Sequence, residues 1–260
     1  MSKTALITGA SSGIGAVYAQ RLAARGYDLV LVARRAERLA DLATQLQQAH
    51  KVSVRTIAAD LSADAGMASI ETVLRDEEID LLVNNAGMGP ISSTADLSDE
   101  AAAQTLALNV TALMRLTRAA LPAMRARKSG AIVNVGSVMA FHAMPATSLY
   151  SATKAFVLTY SRAIQQEVQA DGIQVQAVLP AGTVTEFYEA AGVPIANFDQ
   201  SVFMTAENLV DAALAGLDRG EEVTLPSVHD LELWNTYDTA RQNLFGGTQN
   251  GKPASRYQAA

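Results

Sequence analysis

The chain has no cysteine, only three histidines and one tryptophan in 260 residues. Without a thiol, the protein cannot have a disulfide framework, a thiolate nucleophile or a cysteine metal site. His50, His142 and His229 are far apart in the sequence and show no metal-ligand spacing. We therefore expect no metal site.

A basic stripe and a long apolar run are missing as well. The net charge is −6, with 20 basic against 26 acidic residues, and this argues against nucleic acid as a partner. No apolar run approaches the roughly 20 residues of a membrane span, and the N-terminal residues indicate a strand rather than a signal peptide. The composition predicts a cytoplasmic protein without a membrane or nucleic-acid partner.

Short apolar segments alternate with longer amphipathic ones along the chain. Strands are predicted at residues 4–8, 28–32, 52–58, 81–84, 131–135, 174–179 and 223–225. Helices are predicted from residue 14 to a stop at Gly26, and at residues 36–50, 64–76, 99–128, 149–170 and 205–218. Pro122 is expected to kink or break the fifth helix. Several strands are apolar on both faces, as parallel strands covered by helices are. The pattern predicts an α/β fold, a Rossmann-type doubly wound parallel sheet of about seven strands flanked by helices.

Two segments depart from this alternation. Residues 184–204 follow the end of a strand, where ligands bind in doubly wound sheets, so they form either a substrate lid or an ordinary surface loop. Residues 246–260 form a polar, turn-rich tail. No linker rich in Pro, Gly or Ser precedes this tail, so residues 1–260 are assigned to one domain.

A glycine-rich turn lies between the first predicted strand and the first predicted helix. From residue 8 to residue 15 it reads Thr-Gly-Ala-Ser-Ser-Gly-Ile-Gly, a Gly-x-x-x-Gly-x-Gly spacing. Glycines permit positive φ and close approach of the backbone, and the helix N-terminus offers N–H groups to a pyrophosphate. This position after an N-terminal strand predicts dinucleotide binding. The expected contact residues are Gly9, Ser11, Ser12, Gly13, Ile14 and Gly15.

Tyr150 and Lys154 lie four residues apart in a predicted helix, and Ser137 lies thirteen residues before the tyrosine. Side chains four apart share one helix face, so the phenol and the ammonium can point into the same cleft. A cation about 4 Å away favours the phenolate by up to about 4 kcal/mol, or about three pKa units, at an effective dielectric constant of about 20. Such a shift would let Tyr150 exchange a proton with an alcohol near neutral pH. A tyrosine and a lysine four residues apart also occur by chance on solvated helices, so this pair by itself is weak evidence.

The glycine-rich turn, the Asn-Asn-Ala-Gly run at residues 84–87, and Ser137 with Tyr150 and Lys154 together resemble the short-chain dehydrogenase/reductase family, in its short single-domain branch. The resemblance covers roughly residues 3–225, and the order and spacing of the motifs agree. It implies hydride transfer between a nicotinamide and a carbonyl or secondary alcohol. Tyr150 would act as the acid in reduction and as the base in oxidation.

The resemblance also bears on the choice of cofactor. Arg34 stands at the end of the second strand, where NADP-preferring members carry their selective residue, and Arg35 would assist it. No acid stands there to accept from the ribose hydroxyl of NAD. NADP(H) is therefore the expected cofactor, with NAD(H) as the alternative. Two solvated arginines at the start of a helix are the other interpretation.

Further cofactor contacts follow from the same resemblance. The carboxylate of Asp60 would accept from the adenine amino group, with Leu61 flanking the ring, unless Asp60 is only an exposed turn residue. Asn85 would lie against the adenine ribose, and Ala86 and Gly87 would keep the backbone close to the cofactor. The alternative for this run is an ordinary turn after a strand.

The catalytic half has four implied members. Ser137 would donate to the substrate carbonyl, and Lys154 would lower the pKa of Tyr150 and hold the nicotinamide ribose. Asn109 would hold a water that links Lys154 to solvent as a proton relay, although a helix asparagine can also bond locally.

The segment after the sixth predicted strand departs from the family pattern. The family commonly has Pro-Gly there, whereas Pro180 is followed by Ala181, with Gly182 next. The resemblance makes Pro180, Gly182, Thr183 and Thr185 cofactor contacts near the nicotinamide carboxamide and pyrophosphate. The path of the backbone at Ala181 stays open.

Assembly and alternative functions complete the expectations. The family pairs its fifth and sixth helices across a dimer axis, which implies a homodimer or homotetramer acting on a small-molecule carbonyl or alcohol. A catalytically silent NADP-binding regulatory or scaffold protein is the second interpretation, against which Ser137, Tyr150 and Lys154 argue. A nucleotide-sugar epimerase shares the Tyr-x-x-x-Lys helix but usually has a longer chain.

Overall fold

Parallel strands dominate the computed structural model of the protein, which describes residues 2–257. In chain order the strands are β1 (Thr4–Thr8), β2 (Asp28–Ala33), β3 (Val54–Ala58), β4 (Leu81–Asn84), β5 (Gly130–Val135), β6 (Ile173–Val178), β7 (Thr183–Val184), β8 (Met204–Thr205) and β9 (Val223–Thr224). Seven of them form one parallel sheet in the order β3-β2-β1-β4-β5-β6-β9, while β7 and β8 pair with each other. The strand order reverses between β1 and β4, where doubly wound sheets bind ligands. The predicted fold class is confirmed.

Helices connect the strands. They are α1 (Gly13–Ala24), α2 (Ala36–His50), α3 (Asp64–Asp76), α4 (Asp99–Leu106), α5 (Leu113–Arg127), α6 (Ser148–Val168), α7 (Phe187–Ala190), α8 (Ala206–Asp218) and α9 (Leu231–Gly247). No helix in the described part of the chain combines the length and the apolar character that a membrane crossing requires.

The long helix predicted at residues 99–128 is divided, but not where the sequence suggested. A π-helical turn over Ala107–Ala112 separates α4 from α5, and α5 continues without interruption through Pro122. The expected break at Pro122 is therefore wrong. A proline inside a helix removes one N–H donor and crowds one carbonyl. Ala120 and Met124 pack the adjacent turns into the core, and this packing keeps the helix continuous.

The core consists of two layers, one on each face of the sheet. Leu6 and Ile7 are neighbours in β1, point to opposite faces and are both fully buried. The cluster around Ile7 contains side chains of α1, α2 and α8, and the cluster around Leu6 contains side chains of α3, α5 and α6. Each such buried side chain contributes about 1.5–3 kcal/mol, which explains why apolar residues occupy both faces of the strands.

A buried chain of hydrogen bonds joins α6 to the centre of the sheet. Asn84 Nδ2 donates to Asn134 Oδ1 at 2.9 Å and to Thr117 Oγ1 at 3.1 Å. Asn134 Nδ2 donates to Ser161 Oγ at 2.9 Å. Buried amides lose free energy when a partner is missing, so this network holds α6 in one position on β4 and β5. That helix carries Tyr150 and Lys154 in its first two turns.

Residues 2–226 and 227–257 form two compact units. The second contains α9, and none of the residues of this helix is buried. The helix extends into the predicted polar tail as far as Gly247, and residues 258–260 of that tail lie outside the described residues. The assignment of the whole chain to one domain stays a prediction.

Candidate active site

The glycine-rich turn after β1 packs against the residues that follow β4. Thr8 Oγ1 accepts from the N–H groups of Asn85 and Ala86, both at 3.0 Å. Gly9 has a φ of +67°, and a Cβ there would lie 2.7 Å from Asn85 Nδ2 and 2.9 Å from Ala86 Cα. Only glycine fits this conformation and this approach. The structure thus brings two predicted cofactor motifs together at the crevice between β1 and β4. The hydrogen bonds by which Thr8 joins these motifs could not be predicted from the sequence.

The turn leads into α1. Gly13, Ile14 and Gly15 form the first helical turn, and Ser12 is the N-cap residue. The Ser12 side chain does not cap the helix, because its hydroxyl accepts from Arg35 Nη2 at 2.6 Å. The backbone N–H groups of this turn are placed as a phosphate site at a helix N-terminus requires.

Arg35 lies at the centre of an ion cluster beside the turn. Its Nη2 also donates to Ser11 Oγ at 3.1 Å, and its Nη1 donates to Glu186 Oε2 at 2.7 Å. The second carboxylate oxygen of Glu186 accepts from Arg38 Nη1 at 2.6 Å. Hydrogen bonds from Arg35 and then Arg38 hold the pKa of Glu186 below its usual range. Glu186 and Arg38 were not predicted, since Arg35 and Glu186 are 151 positions apart and no motif links them.

The other predicted contacts with the adenosine end lie where β2 and β3 end. Arg34 is exposed, and so is Asp60, whose Oδ1 accepts from the N–H of Ser62 at 2.9 Å and from its hydroxyl at 2.6 Å. These bonds lower the pKa of Asp60, and the charge of Arg34 adds a smaller contribution. Leu61 is 6 % exposed and packs in the core, so it offers little surface to flank an adenine ring. The adenine contact of Asp60 stays a prediction.

Ser137 and Tyr150 meet at the carboxyl edge of β5. Ser137 is buried, and its hydroxyl lies near enough to the Tyr150 phenol to lower the pKa of the phenol. The same oxygen accepts from the N–H of Met139 at 3.2 Å and lies 3.5 Å from the Pro180 carbonyl, to which it donates. The serine is therefore oriented by the backbone on either side, and its hydroxyl converges with the phenol on one point.

Lys154 lies below the tyrosine and is 7 % exposed. Its Nζ donates to the Val135 carbonyl at 2.9 Å and lies 5.6 Å from the centroid of the Tyr150 ring. Burial raises the pKa of Tyr150 to about 12, against a smaller lowering by Ser137, and burial lowers the pKa of Lys154 to about 8. The prediction that Lys154 lowers the pKa of Tyr150 is therefore wrong for this arrangement. The ammonium is held on the Val135 carbonyl, and lost hydration penalises the charged form of both groups.

Asn109 lies in the π-helical turn and is 3 % exposed. Its Nδ2 donates to the Met88 carbonyl at 2.7 Å and to Thr153 Oγ1 at 3.1 Å, and its Oδ1 accepts from the Met88 N–H at 2.9 Å. A Cβ on Gly87 would lie 3.3 Å from this Oδ1 and 3.7 Å from Lys154 Nζ. Asn109 thus holds the Asn-Asn-Ala-Gly run beside the lysine. Both polar atoms of its side chain bond to protein groups, and the water relay stays a prediction.

The segment after β6 accommodates its alanine without strain, because Ala181 does not adopt a positive φ. Gly182 precedes β7, which Thr183 begins. Thr185 lies over the start of α1, since a Cβ on Gly13 would be 3.1 Å from its methyl group. Thr185 is thereby brought to the glycine-rich turn, and the cofactor contacts of Gly182 and Thr183 stay predictions.

The predicted lid at residues 184–204 begins in β7 and ends in β8, and α7 lies within it. Three of its aromatic rings pack on one another with centroids 5.2–5.8 Å apart, namely Tyr188, Phe198 and Phe203. A fourth ring, Phe187, lies 5.6 Å from the Tyr150 ring. Gly89 allows this approach, because a Cβ there would lie 2.6 Å from Phe187 Cζ and 2.7 Å from Tyr150 Cδ2. The lid therefore presents an aromatic surface beside the Ser137–Tyr150 pair.

The predicted residues fall into two groups across the sheet. Ser137, Tyr150, Lys154, Asn109 and Gly87 lie together around β4, β5 and α6. Arg34, Asp60 and Leu61 lie beyond β1, at the ends of β2 and β3. Within residues 2–257, no three His, Asp or Glu side chains form a group that could hold a metal ion.

Comparisons with known proteins place these features in context. A family model described as short chain dehydrogenase matches residues 3–192. Very-long-chain 3-oxoacyl-CoA reductase-A of Danio rerio is 38 % identical over 191 residues, which are 72 % of this chain and 60 % of that protein. Human 17-beta-hydroxysteroid dehydrogenase type 3 is 32 % identical over 256 residues, which are 94 % of this chain and 80 % of that protein.

Two solved structures match over nearly the whole chain. A short-chain dehydrogenase from Sphingobium yanoikuyae in complex with NADPH is 45 % identical, with a TM-score of 0.95 over 98 % of this chain and 100 % of that one. A bulky-bulky ketone specific alcohol dehydrogenase from Comamonas testosteroni is 42 % identical, with a TM-score of 0.90 over 99 % of each chain.

Proposed function

This chain belongs to the short-chain dehydrogenase family, whose members are oxidoreductases, and we propose that it transfers a hydride between NADP(H) and a carbonyl or secondary alcohol. The observation that carries the proposal is the convergence of the Ser137 hydroxyl and the Tyr150 phenol beside the buried Lys154, whose Nζ lies 5.6 Å from the centroid of the phenol ring. Hydroxyl, phenol and ammonium meet there at the edge of the sheet that adjoins the glycine-rich turn.

The residues around the glycine-rich turn fit a phosphate-bearing nucleotide. Arg35 already binds a carboxylate and two serine hydroxyls, and phosphate oxygens offer it the same kind of acceptor. Ser12 and the first turn of α1 would hold the pyrophosphate, and Asn85 and Lys154 would hold the riboses. When bound, the nicotinamide supplies the hydride, which is the chemistry that no side chain of this protein can perform.

Tyr150 is equipped to act as an acid. With its pKa raised to about 12 by burial, the phenol keeps its proton throughout the neutral range. In carbonyl reduction the phenol would donate that proton to the oxygen, and Ser137 would hold the same oxygen with a second hydrogen bond. The N–H of Met139 orients the serine for this task. Lys154 lies beside the ring of the phenol and would hold the nicotinamide ribose next to it.

The apolar surroundings support a ketone flanked by hydrophobic groups as the substrate. Phe187 stands next to Tyr150, and the rings of Tyr188, Phe198 and Phe203 extend the aromatic surface into the lid. The 42 % identical relative with specificity for bulky ketones supports the same class. A homodimer or homotetramer and a cytoplasmic location complete the proposal, and light scattering of the purified protein tests the first of these.

The decisive experiment compares Tyr150→Phe with the wild type on a panel of ketones, aldehydes and alcohols, read by NADPH absorbance beside NADH. We expect a loss of kcat/KM by about 10²- to 10⁴-fold, the contribution of general acid catalysis, with the NADPH Kd unchanged. Tyr160→Phe is the matched control on the same helix, because its hydroxyl lies 3.5 Å from the Met114 carbonyl and away from the site.

Activity of Tyr150→Phe within a few-fold of the wild type would refute the role of the tyrosine. NADPH binding without turnover on any member of the panel would instead favour a catalytically silent NADP-binding regulatory protein.

A further inference from the structure

The Glu186 carboxylate is bound between two arginines at the mouth of the nucleotide site. Arg35 Nη1 donates to one of its oxygens at 2.7 Å and Arg38 Nη1 donates to the other at 2.6 Å. The three side chains are between 42 % and 49 % exposed, so solvent and solutes reach them. The carboxylate is an anion held by guanidinium groups beside the two hydroxyls of the glycine-rich turn.

Four of the five N–H groups of Arg35 are engaged in this arrangement. Its Nε and Nη2 donate to Ser11, Nη2 also donates to Ser12, and Nη1 donates to Glu186. A phosphate on the 2′ position of the adenosine ribose would use the same guanidinium, since Arg35 starts α2 directly after β2. The serines are neutral and can share the arginine with a phosphate. The glutamate is an anion and cannot do so without repulsion.

Glu186 is also part of the lid. Thr185, before it, lies against Gly13 at the start of α1, and Phe187, after it, packs on the ring of Tyr150. The carboxylate therefore connects the arginines of the nucleotide site to the ring that covers the catalytic tyrosine. NAD(H) carries no 2′-phosphate and leaves that connection in place.

We propose that Glu186 is a specificity-determining residue that competes with the 2′-phosphate of NADP(H) for Arg35, and so weakens the discrimination between NADP(H) and NAD(H). The proposal rests on the nucleotide binding proposed above. Binding of a 2′-phosphorylated nucleotide breaks the Glu186–Arg35 pair, and the freed lid residue then keeps only Arg38.

The test is Glu186→Gln, which keeps the size of the side chain and removes its charge. Exposed ion pairs contribute little free energy, so the expected effect is modest. Without the competing carboxylate, NADPH should bind about fivefold more tightly, while the NADH Kd should change by less than about twofold. Adenosine 2′,5′-bisphosphate and AMP, titrated by calorimetry, separate the phosphate effect from any nicotinamide chemistry. The bisphosphate should gain the same factor and AMP should not. The gain should shrink at high ionic strength.

Glu189→Gln is the matched control, because Glu189 is an exposed carboxylate in α7, three positions after Glu186, and pairs with no arginine in the described part of the chain. It should leave all four affinities unchanged. An unchanged or weaker affinity of Glu186→Gln for NADPH would overturn the proposal, and so would an equal gain for the bisphosphate and AMP. If the wild type binds neither NADPH nor the bisphosphate, the proposed function fails first and this inference falls with it.

Discussion

Replacing Gly89 by alanine should disable the site without disturbing the fold or the nucleotide pocket. Gly89 is buried beside the Tyr150 and Phe187 rings. An added Cβ would lie 2.7 Å from Tyr150 Cδ2, which is about 0.7 Å short of the 3.4 Å where ordinary contact begins. The overlap with Phe187 Cζ is larger by 0.1 Å, since that distance is 2.6 Å. Phe187 lies in the short helix α7, whereas Tyr150 is anchored in the first turn of the long helix α6.

A tyrosine displaced by that distance loses its alignment with the carbonyl oxygen. A misplacement of about 1 Å costs up to about 10²-fold in rate, so kcat/KM of Gly89→Ala should fall between about 10- and 100-fold. Steady-state kinetics with the best ketone of the panel gives the rate, and fluorescence titration gives the NADPH Kd. That Kd should stay within about twofold, because Gly89 is not part of the glycine-rich turn.

Gly246→Ala serves as the control, since a Cβ there meets nothing within 4 Å and alanine favours a helix. It should leave the kinetics unchanged. A Gly89→Ala variant that keeps kcat/KM within about threefold of the wild type would contradict this prediction, because the tyrosine would then tolerate displacement or Phe187 alone would absorb the overlap.

Two further predictions concern stability. Because burial lowers the pKa of Lys154 from 10.5 to about 8, the unfolded chain binds more protons between these values and stability should rise with pH there. Urea titrations measure the free energy of unfolding between pH 8 and pH 10. Over this range it should rise by about 2 kcal/mol more in the wild type than in Lys154→Met. Parallel plots of this free energy against pH for the two proteins would contradict the lowered pKa of Lys154. Tyr18 is fully buried and its hydroxyl has no hydrogen-bond partner among the described residues, so Tyr18→Phe should raise the free energy of unfolding by about 1 kcal/mol. A loss of that size would indicate a partner for the hydroxyl.

Much of the fold is predictable from the sequence wherever the pattern that determines it is local. Apolar residues on both faces of each strand have one stable arrangement, a parallel sheet between two helix layers, and the glycine-rich turn had to follow β1. The shared helix face of Tyr150 and Lys154 was equally predictable, because it depends only on a spacing of four residues.

The electrostatics of the site could not be predicted in this way. The shift expected for Tyr150 assumed a solvated pair, whereas the lid ring of Phe187 and the Val135 carbonyl reach the two groups from distant parts of the chain. Desolvation then outweighs the attraction between charges. Glu186 was missed for a similar reason, since its partners are defined by the folded lid and not by a motif.

Because of the π-helical turn at Ala107–Ala112, the number of residues in this part of the chain cannot change without altering the structure. A surface loop tolerates insertion or deletion, but a π turn contains one residue more than the α-helical path needs. Deleting that residue would restore a regular α-helix and remove the widened turn in which Asn109 lies, while the turns on either side keep their register. Asn109 would then lose the backbone position from which it now holds Met88. A single-residue deletion in the middle of a helix, 41 positions before Tyr150 when counted from Asn109, would therefore dismantle the support beneath the lysine.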